Sequence, residues 1–201
     1  LHLVNPAAER DINNDSFMDI TRLNRMVLYN KFQFGVQKTK GLSGTIGIKV
    51  ASEKRVGGQL GYDGDKDKGS STIYGQSINY FQPELYAKAK WMFNEKESIE
   101  VMASGQYHDQ NSYFGPVHYV ATQEQGYLNA QYNKDWQEGD NNFKAGASLR
   151  SLEIKENINF TTNTLGRTYD SSFLKRELIP GIFAENVWNW RGGIFQLISG
   201  V

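Results

Sequence analysis

Three stretches of this chain alternate apolar and polar residues with a period of two, and that alternation limits the fold more than any other feature. In Thr45 to Glu53, Ile46, Ile48 and Val50 share one face, while Lys49, Ala51 and Glu53 share the other. Glu84 to Phe93 repeats the pattern, with Leu85, Ala87, Ala89, Trp91 and Phe93 against Glu84, Tyr86, Lys88, Lys90 and Met92. A polar turn, Asn94 to Ser98, leads directly into Ile99, Val101, Ala103, Gly105 and Tyr107. Successive side chains of a strand point to opposite faces, so each stretch reads as a strand with two different environments. No segment has a convincing helical period, and the class expected is all-β.

The other strands follow from the same pattern. Arg22 to Gln37 places Met26, Leu28, Phe32, Phe34 and Val36 on one face, with Asn30 interrupting the row. Gln125 to Tyr132, Phe143 to Arg150, Leu178 to Trp190 and Gly193 to Val201 complete about eight strands in four hairpins. Leu1 to Thr21 reads as polar and irregular. Short turns at Lys38 to Gly44, Asn94 to Ser98, Lys134 to Asn142 and Arg191-Gly192 alternate with long loops. The long loops are Arg55 to Asn79, Asp109 to Glu124 and Asn157 to Lys175. A soluble sandwich has no reason to keep its long loops at one end, whereas an outer-membrane barrel does.

Aromatic placement and charge agree with that sidedness. Trp91, Trp136, Trp188 and Trp190 all lie beside short turns, where indoles would meet a membrane–water interface. Tyr62, Tyr74, Tyr80, Tyr107, Tyr113, Tyr119 and Tyr169 gather toward the other end. Lys49, Glu53, Glu84, Lys88, Lys90, Glu100, Gln106, Lys144 and Arg150 fall on the face opposite the apolar one. Burying so many charges in a dry core is prohibitive, but lining a watered or plugged lumen costs little.

Composition bounds the remaining options. Lysine plus arginine equals aspartate plus glutamate at 22 each, so no net field favours nucleic acid. With no cysteine, there is no disulfide framework and no thiolate metal site. No run of about 18 apolar residues provides a membrane helix, and the mean hydropathy is −0.58. A barrel that shows lipid only every second residue is compatible with both observations. The sequence opens at Leu1 without a signal peptide and stops within an alternating strand. A piece of a longer exported chain is expected.

Several motifs as a set resemble the barrel of TonB-dependent outer-membrane receptors. They are Ile73-Tyr74-Gly75-Gln76-Ser77-Ile78-Asn79, Ser104 to Gln110 followed by Phe114-Gly115, and Glu177 to Glu185. The Asp-rich opening followed by a strand, and Arg55-Val56-Gly57-Gly58-Gln59 after the second strand, belong to the same likeness. The resemblance covers essentially the whole chain and is closest to receptors for cobalamin, haem and siderophores. It implies an antiparallel up-and-down transmembrane β-barrel segment, spanning 1–201, from a 22-stranded barrel in the outer membrane. The plug domain, the signal peptide and the remaining strands lie outside this sequence. It further implies import of a large, scarce nutrient (cobalamin, haem or a ferric siderophore), energised by TonB through the plug. Outer-membrane lipid and a surface lipoprotein would be the other partners. A transporter of this kind performs no covalent chemistry, so no catalytic residue is expected and no cofactor is required.

On the expected outer loops, Arg55, Tyr62, Tyr74, Tyr113, Phe114, His118 and Tyr119 are substrate-binding candidates, because rings give contact area at small entropic cost. The same residues would serve equally as an outer aromatic girdle or as loop packing. His108 and Asp109 are weaker candidates for touching a metal chelate. Asp11, Asn13, Asp15 and Asp19 have oxygen-ligand spacing suited to structural calcium. Two departures count against it: Ser16 takes the place of the turn glycine, and Arg22 the place of the closing carboxylate. A solvated acidic loop is the alternative. Gly57-Gly58 and Gly61 open no helix and make no phosphate cradle. Two other architectures fit part of the pattern: a self-contained eight-stranded barrel, which needs Gly193 to Val201 paired with Arg22 to Gln37, and a soluble β-sandwich binding module.

Overall fold

The computed structural model describes residues 1–5, 8–35, 40–136, 141–161, 170–190 and 194–201. The described residues form nine strands: β1 (His2–Val4), β2 (Arg22–Phe34), β3 (Gly41–Gly58), β4 (Gly75–Asn94), β5 (Glu97–Phe114), β6 (Val117–Trp136), β7 (Asn141–Phe160), β8 (Ser171–Trp190) and β9 (Phe195–Gly200). All pair antiparallel in sequence order, forming one up-and-down sheet, β1 to β9. The sheet is not closed: β9 pairs with β8, and β2 lies between β1 and β3. The pairing required for a self-contained eight-stranded barrel is therefore not made. Each strand touches only its neighbours in the sheet, so no second layer covers either face among the described residues. That removes the sandwich as well.

The two faces follow from the register. Opposed residues share a face, so Ile46↔Ala87, Ala87↔Ala103, Ala103↔Leu128, Leu128↔Leu149 and Leu149↔Pro180 form one apolar row across six strands. Burial is inverted relative to a water-soluble protein. Leu85 and Trp91 are 53% and 51% exposed and Ile182 88%, whereas Glu53 and Glu100 are 4% and 7% exposed. Withdrawing one such apolar side chain from water contributes about 1.5–3 kcal/mol. An exposed apolar face of this extent marks an interaction surface. The face assignments made from alternation hold for β2 to β5 and β7 throughout the described residues, with Phe93 displaced by an irregularity between Met92 and Asn94. Val36 and Tyr169 lie outside the described residues.

The apolar belt occupies only part of each strand. On β4 it runs from Pro83 to Trp91, and on β5 from Ile99 to Tyr107. Those nine-residue spans match the roughly 9–11 tilted residues that cross a bilayer. One row above Gly126, Ser151 and Leu178, the same face turns charged at Glu124, Glu153 and Arg176. All four tryptophans lie on the apolar face, toward the C-terminal ends of β4, β6 and β8.

Several expectations need correction. Asp109 to Glu124 is not a loop, because β5 and β6 pair up to Phe114↔Val117 around a tight turn at Gly115-Pro116. The stretch is polar on both faces, since it lies beyond the belt, and so it carries no period-two signal. Likewise β3 continues to Gly58 and β4 begins at Gly75, while β7 reaches Phe160 and β8 begins at Ser171. Short and long connections therefore do not alternate without exception. The count is nine strands rather than eight, because His2–Val4 pairs with Arg25 to Val27 within the stretch read as irregular. Tyr107 sits in mid-strand opposite Glu124, not in a band at the loop end.

Candidate functional site

The polar face carries the chemistry, arranged by strand register into cross-strand stations. At the loop end, the Glu53 carboxylate accepts from Arg25 Nε at 2.5 Å, Arg55 Nη2 at 2.8 Å and the Tyr80 hydroxyl at 3.1 Å. One buried carboxylate thus anchors two guanidinium groups. The Tyr80 ring lies 5.4 Å from that of His108. Toward the turns, Lys49 pairs with Glu84 at 3.1 Å and Lys88 with Glu100 at 2.9 Å. A cavity of about 410 Å³ opens on this face between Lys31, Gln33, Thr45, Tyr86, Lys88 and Tyr127. A Cβ at Gly47 would stand 2.1 Å from the Tyr86 ring, so the absence of a side chain there lets the ring lie across β3. Its hydroxyl then meets that of Tyr29 at 2.7 Å. On the opposite face, a groove of about 840 Å³ crosses the small residues Gly105, Gly126 and Ser151, between Leu85 and Glu153.

The substrate candidates do not converge. Arg55, Phe114 and Tyr119 lie on strands of the polar face, and Tyr119 donates to Glu156 at 2.6 Å. Tyr113 and His118 are opposed on the other face, their rings stacked at 4.2 Å with a 7° interplanar angle. Of the seven, only Tyr62 and Tyr74 stand in a connection. Tyr62 is 1% exposed and packs with Met18, Val56 and Ile73. Burial, followed by the charges of Asp67 and Asp63, pushes its phenol above the ordinary tyrosine range. Tyr74 is exposed and lies 6.5 Å from Phe17. His108 and Asp109 point to opposite faces, as adjacent strand residues must.

Among the described residues, the connections at the Gly58–Gly75 end of the sheet are tied to one another by hydrogen bonds. Met18 N–H donates to the Gly58 carbonyl and Leu60 N–H to that of Ser16, while Arg22 donates to the Tyr62 carbonyl. Thr161 Oγ1 donates to the carbonyls of Gly69 and Pro116. Within 59–74, backbone N–H groups of Asp65 and Lys66 lower the Asp63 carboxyl, and hydrogen bonds from Lys54 and Lys68 lower that of Asp65.

In the acidic loop, backbone donors take up carboxylate oxygens: Asp11 accepts from Asp15 and Ser16 N–H, Asp15 from Phe17 N–H, and Asp19 from Ile12 N–H. Asn13 bridges to Asp15 through its side chain. Ser16 adopts φ 70°, the left-handed conformation for which glycine is the usual residue. No group of three or more histidine, cysteine, aspartate or glutamate side chains among the described residues is arranged to hold a metal ion.

The cluster of Glu53, Arg25, Arg55 and Tyr80 was not evident from the sequence. Arg25 and Tyr80 face Glu53 only once the register is known, and the lengths of the flanking connections hid it. No family model matches the chain, and no curated protein or solved structure matches it either.

Proposed function

We propose that this chain is a section of an outer-membrane β-barrel of the TonB-dependent receptor kind, importing a large nutrient such as cobalamin, haem or a ferric chelate. In this reading the apolar face meets lipid and the polar face lines the lumen. The linked outer connections form part of the external mouth. The inverted burial of the sheet carries the reading: apolar side chains stand exposed while Glu53 and Glu100 are withdrawn. An open sheet has unpaired edges, which lipid does not tolerate, so further strands complete the ring in the membrane. TonB would act through a plug outside these residues.

Deletion of the gene in its native host tests the function, with uptake of labelled cobalamin, haem and ferric chelates followed with and without a protonophore. Loss of energy-dependent uptake of one of them supports import. Unchanged uptake of all three, with the protein recovered from a soluble fraction, rejects it.

A further inference from the structure

We infer that the polar face of β2 to β5 is a cationic track for an anionic small molecule. The inference rests on the barrel reading and deepens it by naming a cargo class. The chain as a whole has a formal net charge of +0, yet this sector does not balance. Arg25, Lys31, Lys49, Arg55, Lys88 and Lys90 all fall on the polar face of these four strands. The carboxylates sharing that face on these strands are Glu53, Glu84 and Glu100. Each is already engaged, Glu53 by both arginines, Glu84 by Lys49 and Glu100 by Lys88. Lys31 and Lys90 have no ion-pair partner among the described residues, and the two arginines share one counter-charge.

These cations are spaced along the strands rather than gathered at one point. Arg25 and Arg55 flank Glu53 at the loop end, while Lys31, Lys88 and Lys90 lie opposite Gly47, Thr45 and Ser43 of β3. From Arg55 to the level of Ser43 the row extends roughly 40 Å at strand spacing. A permeating anion needs such an arrangement, with several weak stations instead of one tight one, so that it can both enter and leave. The cavity between Lys31, Lys88, Tyr86 and Tyr127 supplies a station with one cation outside any ion pair among the described residues, Lys31, beside the Lys88–Glu100 pair and two ring walls. A ligand carrying several carboxylate, phosphate or sulfonate groups on a flat body has the matching chemistry. The opposite face shows no such bias on these strands: its two cations, Arg22 and Lys54, are matched in number by Glu97 and Asp109, and they pair with Glu9 and Asp65.

The test uses the full-length protein in detergent micelles, with pyrenetetrasulfonate as the probe and a neutral hydroxylated pyrene as control, both followed by fluorescence anisotropy. Removing three charge contacts in Lys31→Gln/Arg55→Gln/Lys90→Gln should weaken tetrasulfonate binding roughly tenfold. Added salt should weaken it further, and Lys54→Gln, on the other face, should leave it unchanged. Equal binding to the triple variant, or a neutral probe bound as tightly as the charged one, overturns the track. Heat-modifiable gel migration separates the two readings. Migration that shifts on boiling in every variant shows that folding survives, so a failure of charge-dependent binding then counts against the track alone. A wild-type protein without the shift overturns the barrel and the track with it.

Discussion

Ala87 and Lys88 are consecutive residues in different surroundings. Ala87 stands in the middle of the apolar row, between Ile46 and Ala103. Lys88 faces the other way and pairs with Glu100. Ala87→Arg should cost about 2–4 kcal/mol, the range for a cation at the midplane of a lipid-facing barrel strand. Lys88→Gln keeps a hydrogen-bond donor for the withdrawn Glu100 carboxylate and should cost about 1 kcal/mol or less. Urea titration of the full-length protein folded in lipid vesicles measures both, and equal costs would contradict the assigned faces. This division was legible in the sequence, because alternation is a property of neighbouring residues and needs no knowledge of the fold. The partners of Glu53 were not legible, because residues opposed across a sheet depend on where every turn falls.

For the strands, what could be read was limited by the solvent each segment meets. Within the belt, one face is apolar and the other polar, and the period of two is plain. Beyond it neither face is consistently apolar, so Asp109 to Glu124 looks like a loop although it is a continuous hairpin. The close approach of Tyr86 to Gly47 makes a specific prediction about the β3–β4 pair. Gly47→Ala should destabilise the protein by forcing the ring aside, and Tyr86→Ala should remove most of that penalty. A double-mutant cycle should therefore show coupling, with additive effects as the contrary result. The β3–β4 connection should respond to acid. Because the Asp63 and Asp65 carboxyls are lowered, their contribution is present above the ordinary carboxylate range and is lost as pH falls through their lowered values. Limited proteolysis should therefore cut 59–74 faster in acid than at neutral pH, using an acid-stable protease with a control substrate. Asp63→Asn/Asp65→Asn should remove most of that pH dependence.

For the whole molecule, the controlling fact is that, among the described residues, a single sheet with no second layer keeps apolar side chains on one face and charged ones on the other. A water-soluble β protein hides its apolar face against another layer, whereas this sheet exposes it and withdraws its carboxylates. The belt, the tryptophans at one end and the charged row above it form the pattern that lipid in the middle and water at either end would require. Cysteine scanning can test this directly, since the chain has no cysteine of its own. Nitroxide labels placed one at a time from Glu84 to Lys90, in the full-length protein in bilayers, would be read for collision with oxygen and with a water-soluble nickel chelate. Leu85, Ala87 and Ala89 should favour oxygen and Glu84, Tyr86, Lys88 and Lys90 the chelate, in strict alternation. A profile without alternation, or with its phase reversed, would contradict the account.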